Sequence, residues 1–310
     1  MGTPAFAASI LTDVLEWPEA EVVAVYTQPD RPAGRGRSPR ASQVKQLAMA
    51  RRLPVYQPER LNVEADIAAL RDFAPDMIVV AAYGLILPQA VLDIPRLGCL
   101  NVHTSLLPKY RGAAPIQRAI LAGEHVTGVT IMKMDAGLDT GDILLQRAVG
   151  IDIDDTAATL HDELARLGGA LLVQAAQRYA RGELTSVPQD HNRASYAPKL
   201  TKEEGLLDCS QPARTVHNIV RALHPWPGAS LLWDGPGNRR IRITLQPGRV
   251  GPELTQPTEP GTILGLQDGL LAIACADRSY LVPEVLPEGK RLTGARDFCN
   301  GYLCRCDEKT

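Results

Sequence analysis

Up to residue 182 the chain alternates short apolar, β-branched runs with stretches of helical periodicity, and this alternation narrows the possible folds more than any other feature. Residues 21–26, 77–82 and 129–132 read as buried strands. Residues 42–52, 65–73 and 114–122 read as the helices between them. Continuous apolar strands separated by helices predict an α/β, Rossmann-like, mostly parallel sheet covered on both faces. The longest helix is expected over 156–181, where Leu160, Leu164, Leu167, Leu171 and Leu172 form one stripe. Asp155 or Thr156 is its expected cap, and Gly182 its stop.

The texture then changes. Residues 183–204 are polar and carry Pro188, Asp190, Asn192 and Pro198, a composition suited to an interdomain linker. A short helix over 213–223 is expected next, followed by short strands at 230–233, 240–245, 261–264, 270–274 and 280–285. Closely spaced short strands with Pro-Gly and Asp-Gly punctuation predict a small β-barrel (OB-like) or sandwich. The expected division is an α/β domain over 1–182, a linker over 183–204 and a β-rich domain over 205–310.

Composition excludes several classes. At 310 residues, 45% hydrophobic and 22% charged, the chain is far from disordered, collagenous or disulfide-scaffold profiles. No apolar run is long enough to span a bilayer, and nothing at the amino end reads as a secretory signal. Met1-Gly2 begins like a myristoylation signal but has Phe6 where Ser or Thr is needed. The cysteines lack paired ligand spacing; Cys304 and Cys306 stand as an isolated C-x-C, so no metal is expected and reduced cytosolic thiols fit best.

The formal net charge of -2 hides one asymmetry: Arg31, Arg35, Arg37, Arg40, Lys45, Arg51 and Arg52 fall in one stretch without Asp or Glu. Pro32, Gly34, Gly36 and Pro39 predict that its first half is an exposed flexible loop rather than helix or strand. Such a loop can follow a phosphate backbone, or be only a solvated charge run. Arg239, Arg240, Arg242 and Arg249 gather around an expected hairpin, where a solvated reading is at least as good. Trp226, between Pro225 and Pro227, reads as a packing anchor.

The chemistry concentrates between Cys99 and Asp142. Residues 100–102 should end a strand, so Asn101 and His103, two apart, project to one side beyond its carboxyl end, where open α/β sheets bind ligands. An Asn amide can stabilise a developing oxyanion, and His can exchange protons near neutral pH. Asp139, in a Gly-containing turn, can orient or balance that His. Taken alone, an Asn-x-His pair serves turn backbone as readily as chemistry, and Asp139 could simply stabilise its turn.

The stretches QPDRPAGRGR (28–37), AYGLILP (82–88), LGCLNVHTSLLPKYRGAAPIQ (97–117) and GVTIMKMDAGLDTGDIL (128–144) together resemble the folate-dependent formyltransferase family, in particular its branch acting on methionyl initiator tRNA. KLTKEEGLLD (199–208), RALHPWPGA (221–229) and PEGKRLTGARDFCNGY (287–302) extend the resemblance through the second domain. The resemblance implies Asn101, His103 and Asp139 as the catalytic set, without a metal. It implies 10-formyltetrahydrofolate as formyl donor, held by Ser105, Leu106, Leu107 and Pro108 with Tyr83 and Leu85 as a neighbouring wall. Leu85 to Leu87 would otherwise read as simple core. It also implies methionyl initiator tRNA as acceptor, with Arg31, Arg35, Arg37 and Arg40 on the acceptor stem. A cytoplasmic bacterial monomer without membrane contact is expected.

The chain departs from the family pattern at Thr104, often Gly, and at Tyr110 and Cys209, both often Trp. The pattern also places an apolar first strand before the Gly2-Thr3-Pro4 turn. That strand is missing from the sequence, and a misplaced start codon is the expected explanation. The alternatives are a formyltransferase acting on a small amine, such as glycinamide ribonucleotide or an amino sugar, and a tRNA-binding truncation without catalysis.

Overall fold

The computed structural model describes residues 1–33, 38–235 and 239–303. It divides into two compact units, one of Met1–Pro115, Val126–Gly150 and His161–Ala197, the other of Ile116–His125, Ile151–Leu160 and Pro198–Thr310.

The first unit contains strands β1 (Val25–Tyr26), β2 (Arg31–Ala33), β3 (Ser38–Arg40), β4 (Val55–Tyr56), β5 (Ile78–Val80), β6 (Cys99–His103), β7 (Arg111–Gly112), β8 (Val126–Lys133), β9 (Ile143–Gly150) and β10 (Tyr196–Ala197). β1 pairs in parallel with β4, and β5 in parallel with β6. The main sheet, ordered β5-β6-β8-β9, turns antiparallel after β6. A short connection joins Lys133 to Ile143, and a hairpin of this kind can only join antiparallel neighbours. The sheet is therefore mixed, with one parallel pair, β5 and β6, while β1 and β4 form a separate parallel pair.

The expected helices form close to their predicted limits. Gln43–Ala50 starts at Ser42, whose hydroxyl accepts the Lys45 amide at 3.0 Å. Glu64–Asp72 follows. The long helix is Ala157–Ala180, and Gly182 ends the segment with φ +70°, a value that suits glycine. Leu164, Leu171 and Leu172 of its stripe are buried.

The expected strand at 21–26 shortens to β1. Residues 22–24 have no ladder partner, and Val23 is 38% exposed. Between β1 and β5 lies the amino-terminal dipeptide. The Gly2 amide donates to Tyr26 O (2.9 Å), Gly2 bridges Ala81 in parallel, and the Met1 amine donates to Val79 O (2.6 Å). Beside this seam a cavity of about 620 Å³ is lined by Ile10, Val14, Trp17, Val22 and Val23 among others.

The stretch read as a linker is built into the first unit as far as Ala197. Val187 exchanges backbone hydrogen bonds with Ile143, both 2.8 Å, and β10 pairs in parallel with β7. Ser186, Gln189 and Ser195 find partners in the first unit while most of the other polar side chains stay exposed, so composition alone made the stretch resemble a surface connector.

The second unit contains β11 (Ala229–Gly235), β12 (Arg239–Leu245), β13 (Arg249–Glu253), β14 (Ile263–Gln267), β15 (Leu270–Ala274), β16 (Arg278–Val282), β17 (Glu284–Pro287) and β18 (Thr293–Gly294). They form two four-stranded antiparallel sheets, β11-β12-β17-β18 and β13-β16-β15-β14. Leu231, Ile243 and Val285 from one sheet and Ile273, Tyr280 and Val282 from the other meet in one apolar cluster with Val216 and Val220 of helix Ala213–Ala222. The expected strand at 280–285 is divided at Pro283, which has no amide hydrogen to give a ladder. Trp226 is 52% exposed and is no packing anchor. Arg240 pairs with Asp234 and Arg249 with Asp268, as expected of a solvated hairpin. Cys99, Cys209, Cys275 and Cys299 are buried and form no disulfide among the described residues, while Cys304 and Cys306 lie outside them. Among the described residues, no helix is long and apolar enough to cross a membrane.

Candidate functional site

β6 lies inside the main sheet and is buried along its length. Strand alternation puts Asn101 and His103 on one face, where their cross-strand partners in β8 are Met132 and Thr130. The β8–β9 connection brings Asp139 to the same place. Asn101 Nδ2 stands 3.5 Å from Asp139 Oδ1, and His103 Nδ1 stands 3.7 Å from Asp139 Oδ2. The three predicted residues are thus gathered, Asn101 and His103 buried and Asp139 nearly so.

Two strained turns hold the cluster. Asp139 has φ +53° and Tyr110 φ +62°, values that cost a non-glycine residue about 1–2 kcal/mol and persist only where neighbours fix them. Tyr110 O lies 2.9 Å from His103 Nε2. A carbonyl can only accept, so Nε2 carries the proton of this bond and Nδ1 is the nitrogen turned to Asp139. The Gly112 amide donates to Asp139 Oδ2 at 2.8 Å and so orients the carboxylate. An amide donor, an imidazole and a carboxylate therefore converge at the end of β6, a set able to hold an oxyanion and relay a proton.

The residues expected at the folate split into two groups. Ser105 and Leu107 are buried, and their polar atoms are used within the fold: Ser105 Oγ donates to Lys109 O (2.7 Å), the Leu107 amide to Thr130 Oγ1 (3.1 Å), and Gln146 Nε2 to Leu107 O (2.9 Å). Leu106 and Pro108 are half-buried and so present surface. Tyr83 lies in the core with Tyr26 and Leu87; burial pushes its phenol well above the usual range, and its hydroxyl has no partner among the described residues. Leu85 packs partly against the same core, whereas its neighbour Ile86 is 89% exposed. Ile86 is thus the side chain of this wall most available to a ligand. Apolar composition gave no means of separating it from Leu85.

The arginine stretch is not wholly loop. β2 and β3 form an antiparallel ribbon with Arg31 opposite Arg40 and Pro32 opposite Pro39. Prolines facing each other occupy a pair that exchanges no hydrogen bonds, which reconciles them with a two-stranded ribbon. Arg31 and Arg40 are exposed. Arg35 and Arg37 lie outside the described residues. Lys45 of the same stretch is paired with Asp30 at 2.7 Å.

Sequence reasoning passed over Arg111, Gln189 and Ser195, which surround the cluster. The Tyr110 amide donates to Ser195 Oγ at 3.0 Å, and Arg111 donates to Gln189 Oε1. Among the described residues, no group of three or more His, Cys, Asp or Glu side chains is placed to hold a metal ion.

An α/β unit that ends a strand in such a cluster, followed by a β-rich unit, has the architecture of a group-transfer enzyme. Residues 1–176 match the formyl transferase family and residues 199–303 match the formyl transferase C-terminal domain, so the chain belongs to the formyltransferase family. A methionyl-tRNA formyltransferase of Nitratidesulfovibrio vulgaris (strain DP4) is 53% identical over 308 residues, covering 99% of this chain and 93% of the relative. Its counterpart in Marinobacter nauticus is 47% identical, covering 97% and 94%. Among solved structures, the fold resembles WlaRD, a sugar 3N-formyl transferase, with TM-score 0.63 and 18% identity over 94% of this chain and 97% of that one. HypX from Aquifex aeolicus in complex with tetrahydrofolic acid gives TM-score 0.58 and 23% identity over 81% of this chain and 43% of that one.

Proposed function

We propose that this enzyme transfers the formyl group of 10-formyltetrahydrofolate to the α-amino group of methionyl initiator tRNA. The observation that carries the reading is likeness through both units: relatives with that name share 47–53% identity across 97–99% of the chain. The sugar formyltransferase neighbour shares only the fold, at 18% identity.

In this reading the amine attacks the formyl carbon and the carbonyl oxygen takes the negative charge. Asn101 Nδ2 donates to that oxygen, a role in which one donor contributes about 10²–10³ in rate, and the His103 ring adds to it once Nδ1 has taken the amine proton. The nitrogen–carbon bond to folate then breaks. A proton from the attacking amine reaches the leaving folate nitrogen through His103, with Asp139 holding the ring and balancing its charge. The 105–108 turn offers Leu106, Pro108 and backbone to the pterin, with Leu85 and Ile86 alongside. Arg31, Arg35, Arg37 and Arg40 contact acceptor-stem phosphates, and the enzyme acts as a monomer in the cytoplasm.

The test offers the protein 10-formyltetrahydrofolate with methionyl initiator tRNA, an elongator tRNA or glycinamide ribonucleotide. Formyl transfer to the initiator tRNA alone is expected; transfer only to the small amine rejects the reading. Arg31→Ala and Arg40→Ala should each weaken tRNA binding and reduce the salt dependence of log K by about one counterion. An unchanged salt slope removes the ribbon from the tRNA surface. Sedimentation of the free protein checks the monomer.

A further inference from the structure

The polar stretch after Gly182 places one side chain against both turns of the site. Gln189 is 5% exposed, and its amide is bonded at both ends. Nε2 donates to Asp139 O at 2.9 Å and to Gly141 O at 2.7 Å. Oε1 accepts from Arg111 Nε at 3.1 Å and from the same guanidinium's terminal nitrogen at 2.7 Å. The partners determine which way the amide faces, because a guanidinium only donates and peptide carbonyls only accept. Arg111 is itself 2% exposed.

These contacts join two pieces of chain. On one side is the loop that holds Asp139 at φ +53°, a conformation rarely adopted by a residue with a side chain. On the other is the turn of Tyr110, Arg111 and Gly112, which supplies the His103 partner and the amide bound to Asp139 Oδ2. A buried polar group satisfied on every side fixes the geometry of what it bonds. We propose that Gln189 is a positioning residue for group transfer at this site: bracing on Arg111, it grips the Asp139 and Gly141 carbonyls and so sets the Asp139 carboxylate between Asn101 and His103. Its kinetic consequence rests on the formyl-transfer reading above; its geometric consequence does not.

Gln189→Glu separates the two halves of the contact. The new carboxylate keeps the Arg111 side and turns an oxygen, instead of a donor, toward the two carbonyls. Gln189→Leu removes both halves. In the full chain, both variants should lose about 10–100-fold in kcat, the scale of a small misplacement of reacting groups, with KM for folate and tRNA within about threefold. A residue acting only through Asp139 has little left to act on once that carboxylate is gone. Gln189→Glu should therefore cost less than about threefold more in an Asp139→Asn background. A kcat for Gln189→Glu within threefold of the parent, or a loss that multiplies in full onto Asp139→Asn, overturns the proposal. If Gln189→Leu does not fold, Gln189→Glu decides alone. The Gly112 amide resonance reports the bond to Asp139 Oδ2 without any substrate. It should move in Gln189→Glu toward its position in Asp139→Asn, and a resonance that stays in place also overturns the proposal. Should the parent protein fail to formylate initiator tRNA, the functional reading falls while the Gly112 resonance still decides the role of Gln189.

Discussion

Within the first unit, the corner where β6 ends and the seam beside β1 are held by different kinds of interaction. At the corner, Gln189, Arg111, Ser195 and Gly112 use their polar groups on backbone, side-chain amide and carboxylate partners drawn from distant parts of the chain. At the seam, two parallel strand pairs are joined through Met1 and Gly2, and a cavity of about 620 Å³ lies alongside. The corner is directional and determines where atoms sit. The seam combines a few backbone hydrogen bonds with apolar burial, and it contributes stability without touching the groups gathered at the corner. The contrast teaches that stability and site geometry can vary separately in this unit.

The strongest test of that separation is at the corner. His103→Ala should lower kcat by about 10²–10⁴ with little loss of tRNA binding, measured by single-turnover formylation and by filter binding. A rate unchanged from the parent removes His103 from the mechanism. At the seam, Ile10 is fully buried and lines the cavity, so Ile10→Ala should cost about 2–5 kcal/mol in urea unfolding. The folded fraction should keep its kcat, and a parallel fall in kcat would break the contrast. Gly2→Ala is a smaller perturbation. A Cβ there runs into the Ala7 side chain and the Ala81 carbonyl, and overpacking of this kind costs about 1–3 kcal/mol, again with kcat preserved.

The smallest effect lies outside both regions. His217 of the second unit is buried and donates from Nε2 to Ile153 O. Burial lowers its pKa below 6.5, opposed by that hydrogen bond and assisted by Arg221 and Arg214. A depressed base binds fewer protons folded than unfolded. Its contribution to stability is therefore complete above about pH 6.5 and is lost as pH falls from there through the folded value. His217→Phe should flatten this part of the stability curve. If the slope persists in that variant, His217 is not its source.

The sequence made some of this legible and hid the rest for physical reasons. Asn101 and His103 could be placed on one side of a strand end because alternation is a local rule. Asp139 joined them through resemblance, since nothing local says which turn approaches which strand. Gln189 stayed hidden because its partners lie 50 and 78 residues away, and a buried amide reads the same as a solvated one in a polar stretch. β1 came out shorter than its apolar run because a strand needs a neighbour as well as a pattern. Ile86 and Leu85 have similar hydrophobicity, and only the path of the loop decides which one is exposed.

The order of synthesis gives residues 187–197 a further meaning. The sheet that carries Asn101, His103 and Asp139 is complete once β9 has been made, but Gln189, Ser195 and β10 leave the ribosome last among the parts of the first unit. A nascent chain, or a fragment cut at residue 182, could assemble the strands without the contacts that fix Asp139 and Tyr110. The bonds around this corner are therefore completed by the end of the unit, and a fragment that keeps them has to reach Ala197.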